Sequence, residues 1–407
     1  MLRSSSRRLL AGLPLLALAL GPLPLTAQTV FPVATQSTAT LAPGTAFRNA
    51  IAEAAADDVA IAGFFRDRGF APYWTEAAAE ERRAALMRAL AGAGGHGLPV
   101  GRYDPEALIA AFRAARTDGD RGRLEVLMSR ALLDYARDVQ TGALVPGKID
   151  AGIKREVPVR DRRANLDAFA AAANPGAFLR GLPPTSQEYA QLMKAKLSLE
   201  EAVSRGGWGI AVPNGAALEP GASGAPVMAL RDRLVAMGYL DRSAVATYDA
   251  TIVRAVRQFQ ADHGLEPDGA ADRTTLAEIN IGPEARLRSV VVAMERERWL
   301  NIDRGRRHIW VNLTDYTAKI IDNGKVTFET RAVVGDLEAA KHTPEFSHVM
   351  TYMEVNPDWT VPPGILRRDY LPRLQANPNA LGHLQLVDRR GRAVARGAVN
   401  FAAYTAG

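Results

Sequence analysis

Near residue 307 the spacing of the apolar residues changes, and that change fixes the fold class. Upstream, apolar residues recur every three or four positions, the helical period. In LEVLMSRALLDYARDVQTG (124–142) they place Leu124, Leu127, Met128, Leu132 and Tyr135 on one stripe, which predicts a buried helix stopped by Gly142. Downstream the period is two. RHIWVNL (307–313) puts Ile309, Val311 and Leu313 on one face, and YTAKIID (316–322) alternates again. Asn323-Gly324 then gives a strong two-residue hairpin signal before VTFETRAVVG (326–335). EFSHVMTYMEV (345–355) reads as a fourth strand, with LQLVD (384–388) and AVNFAAY (398–404) as two weaker ones. Helices first and strands later predict an α+β multidomain chain whose sheet is mainly antiparallel.

With 407 residues, 47% of them hydrophobic, the chain is long enough for two or three cores. Residues 1–27 read as a signal peptide: Arg3, Arg7 and Arg8 precede the apolar run Leu9 to Leu20, with cleavage expected after Ala27. That run falls short of the roughly 20 residues of a spanning helix, so no stable transmembrane anchor is expected and the chain reads as exported. Residues 28–45 form a flexible leader, 46–205 a mostly helical, Ala-rich scaffold, and the Gly/Pro-dense stretch 206–225 a linker. A compact three-helix unit follows at 226–282. Val227, Leu230, Leu234 and Met237 share one face, Ile252, Val256 and Phe259 another, and Gly238 and Gly264 stand at helix ends. A connecting helix at 283–306 leads into the β region, 307–407.

Within that region TYMEVNPDWTVPPGI (351–365) concentrates turn chemistry. Met350 to Val355 is expected as a core strand. Asn356-Pro357 ends it, because Pro disfavours helix at the preceding residue and offers no backbone donor. Pro362-Pro363-Gly364 then turns the chain into a helix-like run from Ile365. Trp359 suits either core packing or the hinge of a cap.

The chain contains no cysteine, so it has no disulfide, no thiolate metal site and no thiol nucleophile. No Ser has a Lys three positions later, and there is no Gly-x-Ser-x-Gly elbow. Ser347 and His348, adjacent on an expected strand, point to opposite faces. His96 and His263 precede Gly-Leu turns and read as capping or surface residues. His342 and His348 flank Thr343-Pro344; no carboxylate or third His is read at ligand spacing with them, so no metal site and no cofactor are expected. The net charge of +6 comes with basic residues spread along the chain and no nucleic-acid-reading motif. It suits an acidic polymer without selecting one, and no nucleic-acid partner is expected.

The three-helix unit resembles a bacterial peptidoglycan-binding domain through Leu230, Leu234, Gly238-Tyr239, Tyr248-Asp249, Phe259-Gln260, Gly264-Leu265, Asp268-Gly269 and Asn280. Tyr239, Tyr248, Phe259 and Gln260 are its candidate module residues. The β region resembles the start of an L,D-transpeptidase catalytic domain of the YkuD type. The residues that carry this are Val311-Asn312-Leu313, Val333-Val334-Gly335, Thr343 to Ser347 and Asn356-Pro357 through Trp359, Val361-Pro362 and Ile365. Arg68-Gly69-Phe70 to Trp74, His96-Gly97-Leu98 with Tyr103, and Tyr135 to Gly142 look like the scaffold of the large periplasmic members. The resemblance implies acyl transfer: a cysteine thiolate attacks the third stem-peptide residue, expels D-Ala, and passes the acyl group to a neighbouring stem amine as a 3→3 cross-link. It implies peptidoglycan stem peptides and glycan as partners, and a cap at about 360–400 with Tyr352, Asn356, Trp359, Val361 and Pro362 as groove or cap candidates. The family's Ser-His-Gly-Cys-x-Arg segment is absent, so no catalytic residue is assigned and the chain as given is expected to be inactive. A shortened form of an ordinary enzyme is the expectation; a non-catalytic peptidoglycan-binding protein is the alternative.

Overall fold

The computed structural model describes residues 44–404 apart from 214, 216, 337, 339 and 340. The signal-peptide reading, and all but the end of the expected leader, lie outside the described residues. Among these residues no helix is long and apolar enough to cross a membrane. The chain divides after Ser347 into two units.

The first unit opens with nine helices among the described residues: α1 (Thr45–Ala54), α2 (Val59–Asp67), α3 (Glu80–Ala91), α4 (Pro105–Ala114), α5 (Asp118–Thr141), α6 (Pro146–Ile149), α7 (Arg162–Ala171), α8 (Pro175–Arg180) and α9 (Gln187–Ser204). Their starts are written in the sequence. Asp58, Asp104, Asp161, Asn174 and Ser186 each accept a hydrogen bond from a first-turn backbone N–H, and Thr117 closes a capping box with Asp120. Each such cap contributes about 1 kcal/mol. The core gathers Ile51, Phe64, Phe65, Trp74, Leu86, Met128, Leu132 and Phe169 around α5. The stripe on α5 differs from expectation at one place: Leu127 is 43% exposed, while the carboxylate of Glu125 is fully buried. Glu125 accepts from the backbone N–H of Tyr73, Trp74 and Thr75 and from the Thr75 hydroxyl. A helix stripe is wider than its apolar letters, and an acid can occupy it when turned-in N–H groups supply the donors.

The three-helix module follows as α10 (Ala225–Met237), α11 (Ala250–Asp262) and α12 (Arg273–Ile279), closing on Val227, Leu230, Leu234, Tyr248, Ile252, Val256 and Phe259. Gly238 and Gly264 both take positive φ just past helix ends, as the sequence predicts. The stretch expected as a linker is tied down. Val212 is buried, and its N–H and C=O both bond the Asn280 side chain at 2.8 Å. The Arg233 guanidinium donates to Ile279 O and Gly209 O.

The connecting helix α13 (Pro283–Arg298) packs along α9 and buries Met294, Glu295, Glu297 and Arg298. Arg298 donates to Glu295 Oε2 at 2.7 Å and to the His96 carbonyl at 2.8 Å. His96 is therefore no surface residue: its ring stacks on Tyr189, and its Nδ1 lies 3.2 Å from the Tyr189 hydroxyl.

A three-stranded antiparallel sheet follows, in the order β1 (Arg307–Asn312), β2 (Thr317–Asp322) and β3 (Lys325–Arg331). Asn323 and Gly324 both have positive φ, the hairpin turn the dipeptide predicts. The register pairs Ile309 with Ile320 and Ile320 with Phe328, so these share a face. That face is not the shielded one: Ile309, Val311 and Phe328 are half exposed, while His308 and Trp310 are the partly covered side. Arg304 lies over the Trp310 ring at 4.7 Å. Alternation separates two faces but does not say which meets its neighbour. β3 also stops at Arg331 rather than running to Gly335.

The second unit, from His348, carries no strand among its described residues. Met350 to Val355, expected as a core strand, is irregular and exposed. Residues 384–388 keep only a single bridge, Val387 to Ala393, and Phe401–Ala403 is a turn of 3-10 helix. A strand needs a paired neighbour along its length as well as alternation, and these segments have at most one bridge.

Candidate functional site

Two places carry the residues singled out in the sequence. The first is the stretch from Thr343 onward. Before the unit boundary, this stretch is pinned to the scaffold. Lys154 N–H donates to Glu345 O at 2.8 Å, and Glu345 N–H donates to Gly152 O at 3.0 Å. Arg296 bonds the Glu345 carboxylate at 2.5 Å and Arg155 bonds the Ser347 hydroxyl at 2.8 Å. The scaffold thus supplies the backbone partner that a neighbouring strand would otherwise give.

Within the second unit the candidates lie close together in sequence. Tyr352 is 80% exposed, Trp359 is 59% exposed, Val361 is partly covered and Pro362 is exposed. The core-packing alternative for Trp359 is overturned. Asn356 adopts a left-handed φ of +54°, which bends the chain at the position where the turn chemistry begins. Among the described residues, none from Val349 to Val361 donates a backbone hydrogen bond. From Pro363 the chain winds into one continuous helical run: α14 (Pro363–Ile365), a π-helical turn at Leu366–Tyr370, and α15 (Leu371–Ala376). A small core of Leu371, Leu374, Leu381 and Phe401 closes beneath it. Arg396 fastens the return, donating to Ala380 O at 2.6 Å, Leu381 O at 2.7 Å and Leu384 O at 2.6 Å. The segment expected as a cap is thus a small packed lobe with its own clasp, which the sequence signalled only by the Pro-Pro-Gly start.

The second place is the three-helix module. Tyr248, Phe259 and Gln260 are buried and do structural work. The Tyr248 hydroxyl donates to Gly269 O at 2.8 Å. Gln260 Nε2 donates to Asp268 and to Ala270 O, and its Oε1 accepts from Gly269 N–H at 2.8 Å, so one side chain holds the whole Asp268-Gly269 turn. Tyr239 sits apart, partly exposed, at the edge of a cavity of about 510 Å³ where the module meets α9 and α13. Burial, with Asp262 nearby, pushes its phenol up to about 12, so it is a hydrogen-bond donor at neutral pH. Nothing in the local pattern around Trp208 signals that this residue of the tied-down linker lines the same cavity.

Among the described residues no group of three or more His, Asp or Glu side chains gathers where a metal ion could be held. His348 Nδ1 lies 2.9 Å from the neighbouring Val349 carbonyl, a local contact.

Three family models match the chain in succession. Residues 59–195 match the scaffold domain, and 223–279 match a family described as "Putative peptidoglycan binding domain". Residues 306–398, the sheet and most of the lobe, match the L,D-transpeptidase catalytic domain. This part of the chain is similar to the L,D-transpeptidase catalytic domain. A curated relative from Haemophilus influenzae, named "Putative L,D-transpeptidase", is 28% identical over 105 residues. That match covers 25% of this chain and 21% of the relative, so the chain spans about a fifth of that protein. The matched residues hold β1 to β3, the scaffold-pinned Glu345 segment and the exposed Asn356-to-Pro362 run.

Proposed function

We propose that this chain serves peptidoglycan L,D-transpeptidation in the exported, periplasmic compartment, forming 3→3 cross-links between stem peptides. The observation that carries the reading is the succession of scaffold, peptidoglycan-binding and L,D-transpeptidase matches along one chain. The chemistry is acyl transfer, with a thiolate attacking the carbonyl of the third stem residue and D-Ala leaving. The 407 residues contain no cysteine, so they supply recognition and positioning but not the nucleophile. Trp359 and the run from Tyr352 to Pro362 form the hinge of a cap over the substrate stem.

Muropeptide analysis of the source cells tests this reading: loss of the gene lowers the fraction of 3→3 dimers. An unchanged dimer fraction overturns it. The purified 407-residue chain, mixed with tetrapeptide muropeptides, forms no 3→3 dimer; measurable dimer formation would overturn the assignment of the nucleophile outside these residues. The missing cysteine also favours a second reading, a non-catalytic peptidoglycan-binding protein. Under that reading sacculi are bound while the cellular dimer fraction stays constant.

A further inference from the structure

The cavity beside Tyr239 is built by four parts of the chain. Ser198 and Leu199 come from α9, Trp208 from the linker, Tyr239 and His263 from the module, and Ser289 from α13. Its volume, about 510 Å³, lies within the range of small-molecule sites.

Trp208 is held in place by unusual backbone. Gly206, Gly207 and Gly209 all take positive φ, and Gly207 N–H bonds Ala202 O at 2.9 Å. Residues with a Cβ resist that conformation, so the glycines fix where the indole sits. Arg233, itself 4% exposed, donates to Gly209 O and lies 6.0 Å from the indole ring, bracing it. The remaining groups are neutral donors and acceptors. The Tyr239 hydroxyl donates to the Asp262 carboxylate, so its oxygen is left as an acceptor. His263 lies 2.7 Å from Phe259 O through Nδ1, which fixes that nitrogen as the donor and leaves Nε2 as an acceptor. Ser198 and Ser289 add hydroxyls. The cation on the wall, Arg286, is already neutralised: it pairs with the Glu278 carboxylate at 2.7 Å and donates to Glu278 O at 2.8 Å.

A flat aromatic face, scattered hydroxyls and a compensated charge match a sugar ring. Its axial C–H face packs on an indole, and its hydroxyl and acetamido groups pair with neutral donors and acceptors. A carboxylate-rich stem peptide would ask for an uncompensated cation. We propose that this cavity is a composite glycan site, taking N-acetylated hexosamine rings of the peptidoglycan strand, with Trp208 as the stacking platform and α13 as one wall. The proposal rests on peptidoglycan being the partner, and it assigns the binding to the junction rather than to the module alone.

The test uses the full 407-residue chain and glycan strands stripped of stem peptides, measured by calorimetry, with free stem tetrapeptide in parallel. The unmodified chain binds the stripped strands and not the tetrapeptide. Trp208→Ala weakens binding roughly tenfold, the scale of one lost aromatic platform. Ser289→Arg, an exposed position on α13 outside the module, weakens it comparably by filling the cavity mouth. Thermal melts confirm that both variants stay folded. Loss in only one variant, or binding of the tetrapeptide alone, overturns the composite site. Intact sacculi separate the two levels. If they bind equally to the unmodified chain and both variants, the cavity assignment falls and the peptidoglycan partner stands. If the unmodified chain binds no sacculi, both fall.

Discussion

Gly142 ends α5 with φ +92°, and a Cβ there would sit 2.6 Å from both Glu295 Oε1 and Trp299 Nε1. Gly142→Ala therefore combines a forbidden backbone region with overpacking, and we expect a loss on the order of 2–4 kcal/mol, read by chemical denaturation. The sequence showed the helix stop; that α13 packs against it was invisible, because the contact spans more than 150 residues. His96 carries a pH signature. Burial, then the charges of Arg298 and Lys196, hold its imidazole below the ordinary range. The folded protein thus keeps His96 neutral while the unfolded chain takes up a proton below pH of about 6.5. Stability on this account is full above that pH and falls as pH drops towards the depressed folded value. His96→Gln should flatten the dependence of melting temperature on pH between 7 and 5; an unaltered slope would remove His96 from the account.

At the scale of elements, the caps and hairpin were legible and the C-terminal strands were not. Gly142, Gly238, Gly264 and Asn323-Gly324 act through neighbours within a few residues, so local sequence specifies them. Met350 to Val355 alternates as well as β1 does, yet it finds no strand to pair with, and the scaffold loop at Gly152 to Lys154 takes the nearby Glu345 instead. The lobe that follows depends on Arg396, whose guanidinium reaches carbonyls 12 to 16 residues upstream. Replacing it with Ala leaves those carbonyls to water and removes charge-assisted bonds, a local loss of roughly 2–3 kcal/mol. Hydrogen exchange across 377–404 should quicken in Arg396→Ala while α5 keeps its protection. Loss of protection in α5 as well would mean that the clasp serves more than the lobe.

At the scale of the whole molecule, the α+β class was readable because helices and strands announce themselves by their own periods. The cavity beside Tyr239 was not, because its parts converge only after folding. Val349 to Val361 donates no backbone hydrogen bond, and Met350, Tyr352, Met353, Val355 and Trp359 are all more than half exposed. Proteases need roughly an extended, accessible segment, and helices buried along α5 do not offer one. The stretch contains no Lys or Arg, so trypsin must cut elsewhere, but chymotrypsin meets Tyr352 and Trp359 there. Brief chymotrypsin treatment should cut first after one of these, releasing a C-terminal fragment that starts at Met353 or Thr360, identified by N-terminal sequencing. Tyr352→Ala with Trp359→Ala should delay that cut without lowering the melting temperature, since both side chains are exposed. A first cut within α1 to α9 would show that the scaffold, not this run, is the part that opens most readily.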